Sequence, residues 1–243
     1  MQNPKVELRE YLSKLITRLL YIKGMNKQLK LLKEWETPNR IIALETGAYF
    51  FRLVGFSFNR TLLIELCMLF DDREEKCIVD WLNKAKEHSK SLEPTLFNPE
   101  SEKQEILNSE IYQKIVNEQQ DLIASKKEII DRVKNRRDKA LAHSDAKYFN
   151  KPDDLYVKFP LSIEEIEDLI KTATEILRMQ YVYLFESDLD IQVHALTNID
   201  RILSHIRGFQ RVWHDKRATS LYPYLYKEDD FEGKLKEHLE KKL

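Results

Sequence analysis

The chain has 243 residues, of which 40 are Lys or Arg and 41 are Asp or Glu, for a formal net charge of −1. That balance excludes a generic polyanion binder, so any nucleic-acid surface has to be local. Five glycines and seven prolines are few for a chain of this length and favour long uninterrupted helices over a strand-and-turn architecture.

Read in order, residues from about Val6 to Glu36 predict a helix whose apolar face carries Leu8, Leu12, Leu15, Ile16, Leu19 and Leu20, with Gly24 as a point of bending or breakage. Thr37-Pro38 is a start signal, a capping residue followed by a proline in the first turn. The segment from there to Phe70 is the most apolar of the chain and reads as a core helix packed on several sides, with Gly55 its weakest point. Its aromatic residues Tyr49, Phe50, Phe51, Phe56 and Phe58 read as core, because no ligand-fixing polar cluster accompanies them. Arg52, Arg60 and Glu65 interrupt it, so no membrane association is expected.

Asp71 to Glu75 reads as a charged turn, Ile78 to about His88 as a helix, and Ser91 to Ser101, with Pro94 and Pro99, as a loop. A long helical pattern then runs from about Ile111, with Leu122, Ile123, Ile129, Ile130 and Val133 on one stripe. Asn150 to Asp154 is turn-like, and the alternation of Leu155, Val157 and Phe159 suggests a short extended piece. Ser162 and Glu165 form a capping box ahead of a helix to about Phe185, marked by Ile166, Leu169, Ile170, Ala173, Ile176 and Leu177. A last helix from about Ile191 to Val212 precedes an aromatic and charged tail. Cys67 and Cys77 make neither a C-x-x-C nor a metal spacing, and the first residues lack the apolar core of a signal peptide; a reducing, cytoplasmic setting is expected.

The chemistry concentrates where the long pattern closes, at Arg136-Arg137-Asp138-Lys139-Ala140-Leu141-Ala142-His143-Ser144-Asp145. An arginine can hold a phosphate through two parallel hydrogen bonds, and a histidine exchanges protons near neutral pH. Together they are a minimal kit for cleaving a phosphodiester without a metal. The structural alternative is that the arginines favour the helix dipole and the histidine caps the last turn. Lys126 to Lys139 is basic, with Arg132, Arg136, Arg137 and Lys139 among its cations. A second basic stretch, Arg201 to Arg217, interleaves Arg207 and Arg211 with Phe209 and Trp213 and is a candidate RNA-contacting helix or a solvated face whose rings pack inward. His194 and His205 are too far apart to share a metal, and no Walker loop, G-x-G-x-x-G, G-x-S-x-G or H-E-x-x-H is present; neither metal nor cofactor is expected.

Arg137-Asp138-x-x-x-x-His143 resembles the R-x(4–6)-H motif of the HEPN superfamily, with Asp138 in the place that follows the arginine. Ala142-His143-Ser144-Asp145 resembles the ending of the AbiU-like abortive-infection branch. Tyr49-Phe50-Phe51-Arg52 leading to Met68-Leu69-Phe70-Asp71 resembles that branch's aromatic helix. The resemblance covers roughly residues 5–185. It implies an all-α fold, a HEPN-like bundle of long helices over 1–188 with a C-terminal helical extension over 189–243. It implies a homodimer and, in many members, metal-independent RNA cleavage, whereas some members only bind. The roles expected on this footing are Arg137, His143 and Asp138 for catalysis and Arg136, Lys139, Arg132, Arg207 and Arg211 for RNA. The expected partners are RNA, a second copy and an antitoxin protein. The competing reading is a non-catalytic module that binds a nucleotide or a partner protein with the same residues.

Overall fold

The structure is a computed structural model that describes residues 3–33, 38–73, 76–98, 103–142, 152–191, 199 and 201–207. The elements in order are α1 (Pro4–Lys33), α2 (Pro38–Thr46), α3 (Ala48–Phe70), α4 (Ile78–Glu87), α5 (Ser89–Leu92), β1 (Thr95–Asn98), β2 (Lys103–Ile106), α6 (Ser109–Ser125), α7 (Lys127–Arg136), a π-helical turn (Arg137–Ala142), α8 (Pro152–Lys158) and α9 (Ile163–Phe185). Among the described residues the fold is all-α apart from one two-stranded antiparallel pair.

The chain divides into two compact units, Met1–Leu29 with Gly55–Leu196, and Lys30–Val54 with Thr197–Leu243. The first holds the large core. Leu12, Leu15, Leu19 and Ile22 of α1, Leu62, Leu66 and Leu69 of α3, Trp81 and Leu82 of α4, Tyr112 and Val116 of α6, and Ile176 and Leu177 of α9 belong to one buried cluster. The α1 stripe runs on to Ile22, while Leu20, 37% exposed, lies off it. In the second unit Leu32, Ala43, Leu44, Phe51, Ile199 and Leu203 are buried.

Hydrogen bonds between buried polar groups tie the helices of the first unit together. The Trp81 indole N–H donates to the Leu8 carbonyl at 3.0 Å and fastens α4 to α1. The Tyr112 hydroxyl donates to Gln180 Oε1 at 2.7 Å, and Gln180 Nε2 donates to Gln119 Oε1 at 2.6 Å, a buried chain that sets the register of α6 against α9. The Ser162–Glu165 capping box forms as its spacing predicts, with Glu165 N–H on Ser162 Oγ at 3.2 Å and Ser162 N–H on Glu165 Oε2 at 2.9 Å.

Several expectations give way, each for a local reason. The apolar segment after Pro38 breaks at Gly47 and continues unbroken through Gly55. A side chain at 47 would have its Cβ 3.3 Å from the Phe51 ring, so the break falls at a residue whose lack of a side chain lets that ring pack close. The aromatic half of α3 is only partly core: Tyr49, Phe50 and Phe56 are exposed, whereas Phe51 is buried. The prolines at 94 and 99 bracket a strand instead of ending all structure, and Thr95↔Ile106 through Asn98↔Lys103 pair as an antiparallel hairpin. The alternation at 155–159 is helical. Pro152 starts α8 with Asp153 and Asp154 behind it, where a fixed φ and negative charge favour a first turn.

The long pattern ahead of the motif is also two helices. Ser125 Oγ turns back onto the Leu122 carbonyl at 2.7 Å, Lys126 leaves the helical region, and its Nζ reaches Asp168 on α9 at 2.7 Å. Part of the predicted last helix is helical at 199 and 201–207, and the rest lies outside the described residues.

The buried amide chain generates a stability prediction. Tyr112→Phe leaves Gln180 Oε1 without its donor and is expected to cost about 1–3 kcal/mol, read as a lower urea midpoint at unchanged slope.

Candidate functional site

The site starts from the end of α3. Its last turn, Leu66, Cys67, Leu69 and Phe70, is buried, and the Asp71 N–H still donates to the Cys67 carbonyl at 2.7 Å. The chain therefore delivers the Asp71 carboxylate into the interior, where it has 0% exposure. An isolated carboxylate there would be prohibitively costly. Three cations meet it. Arg73 grips it with Nε at 3.0 and 3.1 Å and Nη2 at 2.7 Å, and its backbone N–H adds a further bond at 3.1 Å. Lys134 of α7 lies 3.1 Å from Oδ1 and also holds Asp72 at 3.0 Å. Arg137 Nη2 lies 3.2 Å from Oδ2.

Asp138 closes the arrangement. Its Oδ1 accepts from Arg137 Nε at 2.8 Å and its Oδ2 lies 3.4 Å from Arg73 Nη2. Arg73, Asp71, Arg137 and Asp138 thus form a ring of alternating charge in which each ion touches two others. Burial pushes the Asp71 carboxyl up, but the hydrogen bonds from Arg73 and then Lys134 outweigh it, and the group is held well below the usual carboxylate range. One helical turn away, Cys67 Sγ sits 3.8 Å from Asp71 Oδ2, and burial, in spite of the Arg137 charge, pushes its thiol up to about 12.

The predicted site residues fall into distinct settings. Arg137 ends α7 and opens the π-helical turn with its side chain 15% exposed, and Asp138 holds it from the next position. Single π turns recur at functional sites because the extra residue per turn redirects the side chains that follow. Arg136 points elsewhere. Its Nε donates to the Phe159 carbonyl at 2.7 Å and its guanidinium lies 5.0 Å over the Tyr156 ring, so it fastens α8 to the end of α7. Lys139 lies 4.5 Å over the Phe159 ring. Arg132 pairs with Glu165, the residue that completes the capping box of α9. Arg207 belongs to the second unit. His143 and Arg211 lie outside the described residues. Arg136 also lines a narrow groove with Phe56, Asn59, Arg60, Leu63, Leu155 and Tyr156.

Asp71, Arg73 and Lys134 are the residues that sequence reasoning passed over as members of the site. Asp71 stood as the last letter of an aromatic helix and the first of a charged turn, and Lys134 only as part of a basic stretch. The one available signal was a carboxylate placed directly after a fully apolar turn, which has to be paired. Among the described residues no group of three or more His, Cys, Asp or Glu is placed to hold a metal ion.

Residues 6–188 match the HEPN_AbiU2 family, described as AbiU2. The chain matches no curated protein and no solved structure.

The buried carboxylate sets an acid limit. Because the folded pKa of Asp71 lies below its unfolded value of about 4, its contribution is complete above that value and is lost progressively as the pH falls below it. The Asp71→Asn variant is expected to be less stable than wild type at pH 7 and to lose less on acidification. Urea midpoints measured from pH 7 downward check this, and parallel curves would contradict it.

Proposed function

The chain belongs to the HEPN_AbiU2 family, the abortive-infection branch of the HEPN superfamily, and from that premise we propose that it is a metal-independent endoribonuclease of the toxin or phage-defence kind. The observation that carries the reading is the immobilised guanidinium of Arg137, held between Asp71 and Asp138 within the matched span and six positions ahead of His143. A preorganised cation stabilises charge that builds on a phosphate without having to reorganise during the reaction.

In the proposed step the 2′-oxygen of RNA forms a bond to the adjacent phosphorus and the bond from phosphorus to the 5′-oxygen breaks. The products are a 2′,3′-cyclic phosphate and a free 5′-hydroxyl. His143 takes the proton from the 2′-hydroxyl or delivers one to the leaving 5′-oxygen, Arg137 neutralises the crowded phosphoryl oxygens, and Asp138 orients Arg137. The need for a 2′-hydroxyl makes RNA, and not DNA, the substrate.

The one motif histidine of each chain, His143, supplies one proton-transfer group, whereas the step moves two protons. A two-fold dimer brings a second histidine to the same cleft. Tyr49, Leu53 and Phe56 recur at helical spacing on α3 and are exposed, which supports a second copy as a partner; Phe56 also borders the groove that Arg136 lines. Two basic motifs that face one another would repel in a dry contact, so the shared cleft opens to solvent or to RNA.

One observation favours the second reading, a non-catalytic module that binds a nucleotide or an antitoxin. The Arg137 side chain is nearly buried and already shared between two carboxylates, as a purely architectural arginine would be.

Incubation of the purified protein with labelled tRNA and mRNA in EDTA separates the two. Cleavage that survives chelation is expected, with His143→Ala abolishing it while RNA affinity remains; absence of cleavage by wild type would favour the binding module. Arg137→Ala is expected to raise the barrier by about 3 kcal/mol, roughly two orders of magnitude in rate. Arg136→Ala should cost less activity and show its effect as a lower melting temperature, since its contacts fasten α8. The reverse order would sink the assignment. Light scattering should return a dimer, and a monomer would remove the composite site.

A further inference from the structure

Arg137 is held by two carboxylates, and Arg73 is held by the same two. Both Nη2 atoms donate to Asp71 Oδ2, at 2.7 Å from Arg73 and 3.2 Å from Arg137, so the two guanidiniums are neighbours across a single oxygen. Their exposures differ sharply. The Arg137 side chain is 15% exposed and that of Arg73 is 60% exposed. Arg73 binds Asp71 through Nε and Nη2, and among the described residues no hydrogen bond leaves its Nη1. Among the described residues the acids of the cluster each meet a cation: Asp71 is buried under three of them, Asp138 is paired with Arg137, and Asp72 holds Lys134 while its side chain stays 68% exposed. Of the three cations on Asp71, Arg73 is therefore the one that faces outward, fixed in place by one edge of its guanidinium.

We propose that Arg73 is a second phosphate-contacting residue of the RNA site, presented beside Arg137 by the shared Asp71 carboxylate. This rests on the reading of the protein as an RNA-acting member of its family and names a residue of that site, 64 positions before Arg137, that the linear motif does not contain. An arginine gripped by a bidentate carboxylate has lost most of its rotamer freedom already, so the remaining N–H groups meet a phosphate at little further entropic cost. Of the two cations, the exposed one sets how RNA is held and the enclosed one meets the reacting phosphate.

The test uses the full chain and a single-stranded RNA oligonucleotide with methylated 2′-hydroxyls, which cannot be cleaved by the proposed step. Fluorescence anisotropy over a range of salt concentrations gives the dependence of log K on log[salt]. Arg73→Gln is expected to weaken binding about tenfold at low salt, the size of a charge-assisted hydrogen bond. It should also lower the slope by about 0.7, the value for one phosphate contact on a single strand. Arg73→Lys should restore the slope, because the charge returns. A wild-type slope in Arg73→Gln, alongside a reduced slope in Arg137→Gln, overturns the role of Arg73 and leaves the RNA reading standing. Absence of salt-dependent RNA binding by wild type overturns both. Phenylglyoxal modification of wild type, mapped by mass spectrometry, needs no variant. RNA is expected to protect Arg73, and equal modification with and without RNA overturns the proposal even if Arg73→Gln does not fold.

Discussion

A carboxylate with no exposure to solvent stays charged only if cations are brought to it, and the folding of this chain brings three to Asp71. They come from separate parts of the sequence: Arg73 from the turn after α3, Lys134 from α7, and Arg137 from the start of the π-helical turn. The ion cluster therefore fixes the end of α3 against the end of α7. Removing one cation leaves Asp71 with two, but removing Asp71 takes the common counter-ion from all three cations at once, leaving Lys134 to Asp72 and Arg73 and Arg137 to share Asp138. The asymmetry makes Asp71 the centre of the arrangement, although it carries none of the proposed chemistry.

The arginines of the motif divide the labour that their adjacency conceals. Arg136 and Arg137 are consecutive, so on a helix their side chains leave about 100° apart. One meets the Tyr156 ring and the Phe159 carbonyl and holds α8; the other meets the two carboxylates. Arg132, a turn earlier, is tied to the capping residue of α9. The basic stretch that reads in the sequence as one patch is thus partly a set of fasteners, each spent on a different neighbour.

What the sequence makes legible follows the range of the interaction. The capping box at Ser162, the start at Pro38 and the stripe on α1 are written in local residues, and they form as read except that Leu20 falls off the stripe. The break at Gly47 sits where the Phe51 ring packs close, and the strands at 95–98 and 103–106 depend on pairing with one another, so periodicity alone misplaces both. The helix at 152–158 shows two local signals in conflict. Alternation of Leu155, Val157 and Phe159 argued for extension, but proline and two aspartates at the start weigh more, and Arg136 receives the end. For the candidate site, the arginine and its aspartate were visible as neighbours. The second carboxylate that holds Arg137 is 66 residues away, and nothing in a linear spacing conveys that an acid after Phe70 turns inward to meet it.

The thiol of Cys67 gives this cluster a reporter. It is buried beside Asp71, and a thiol pushed up to about 12 is almost wholly protonated at physiological pH and therefore a poor nucleophile. Its environment changes only when the last turn of α3 parts from the cations around it. In a protein whose other cysteine, Cys77, is enclosed elsewhere as the cap of α4, the speed at which an alkylating reagent captures Cys67 becomes a clock for the breathing of the ion ring.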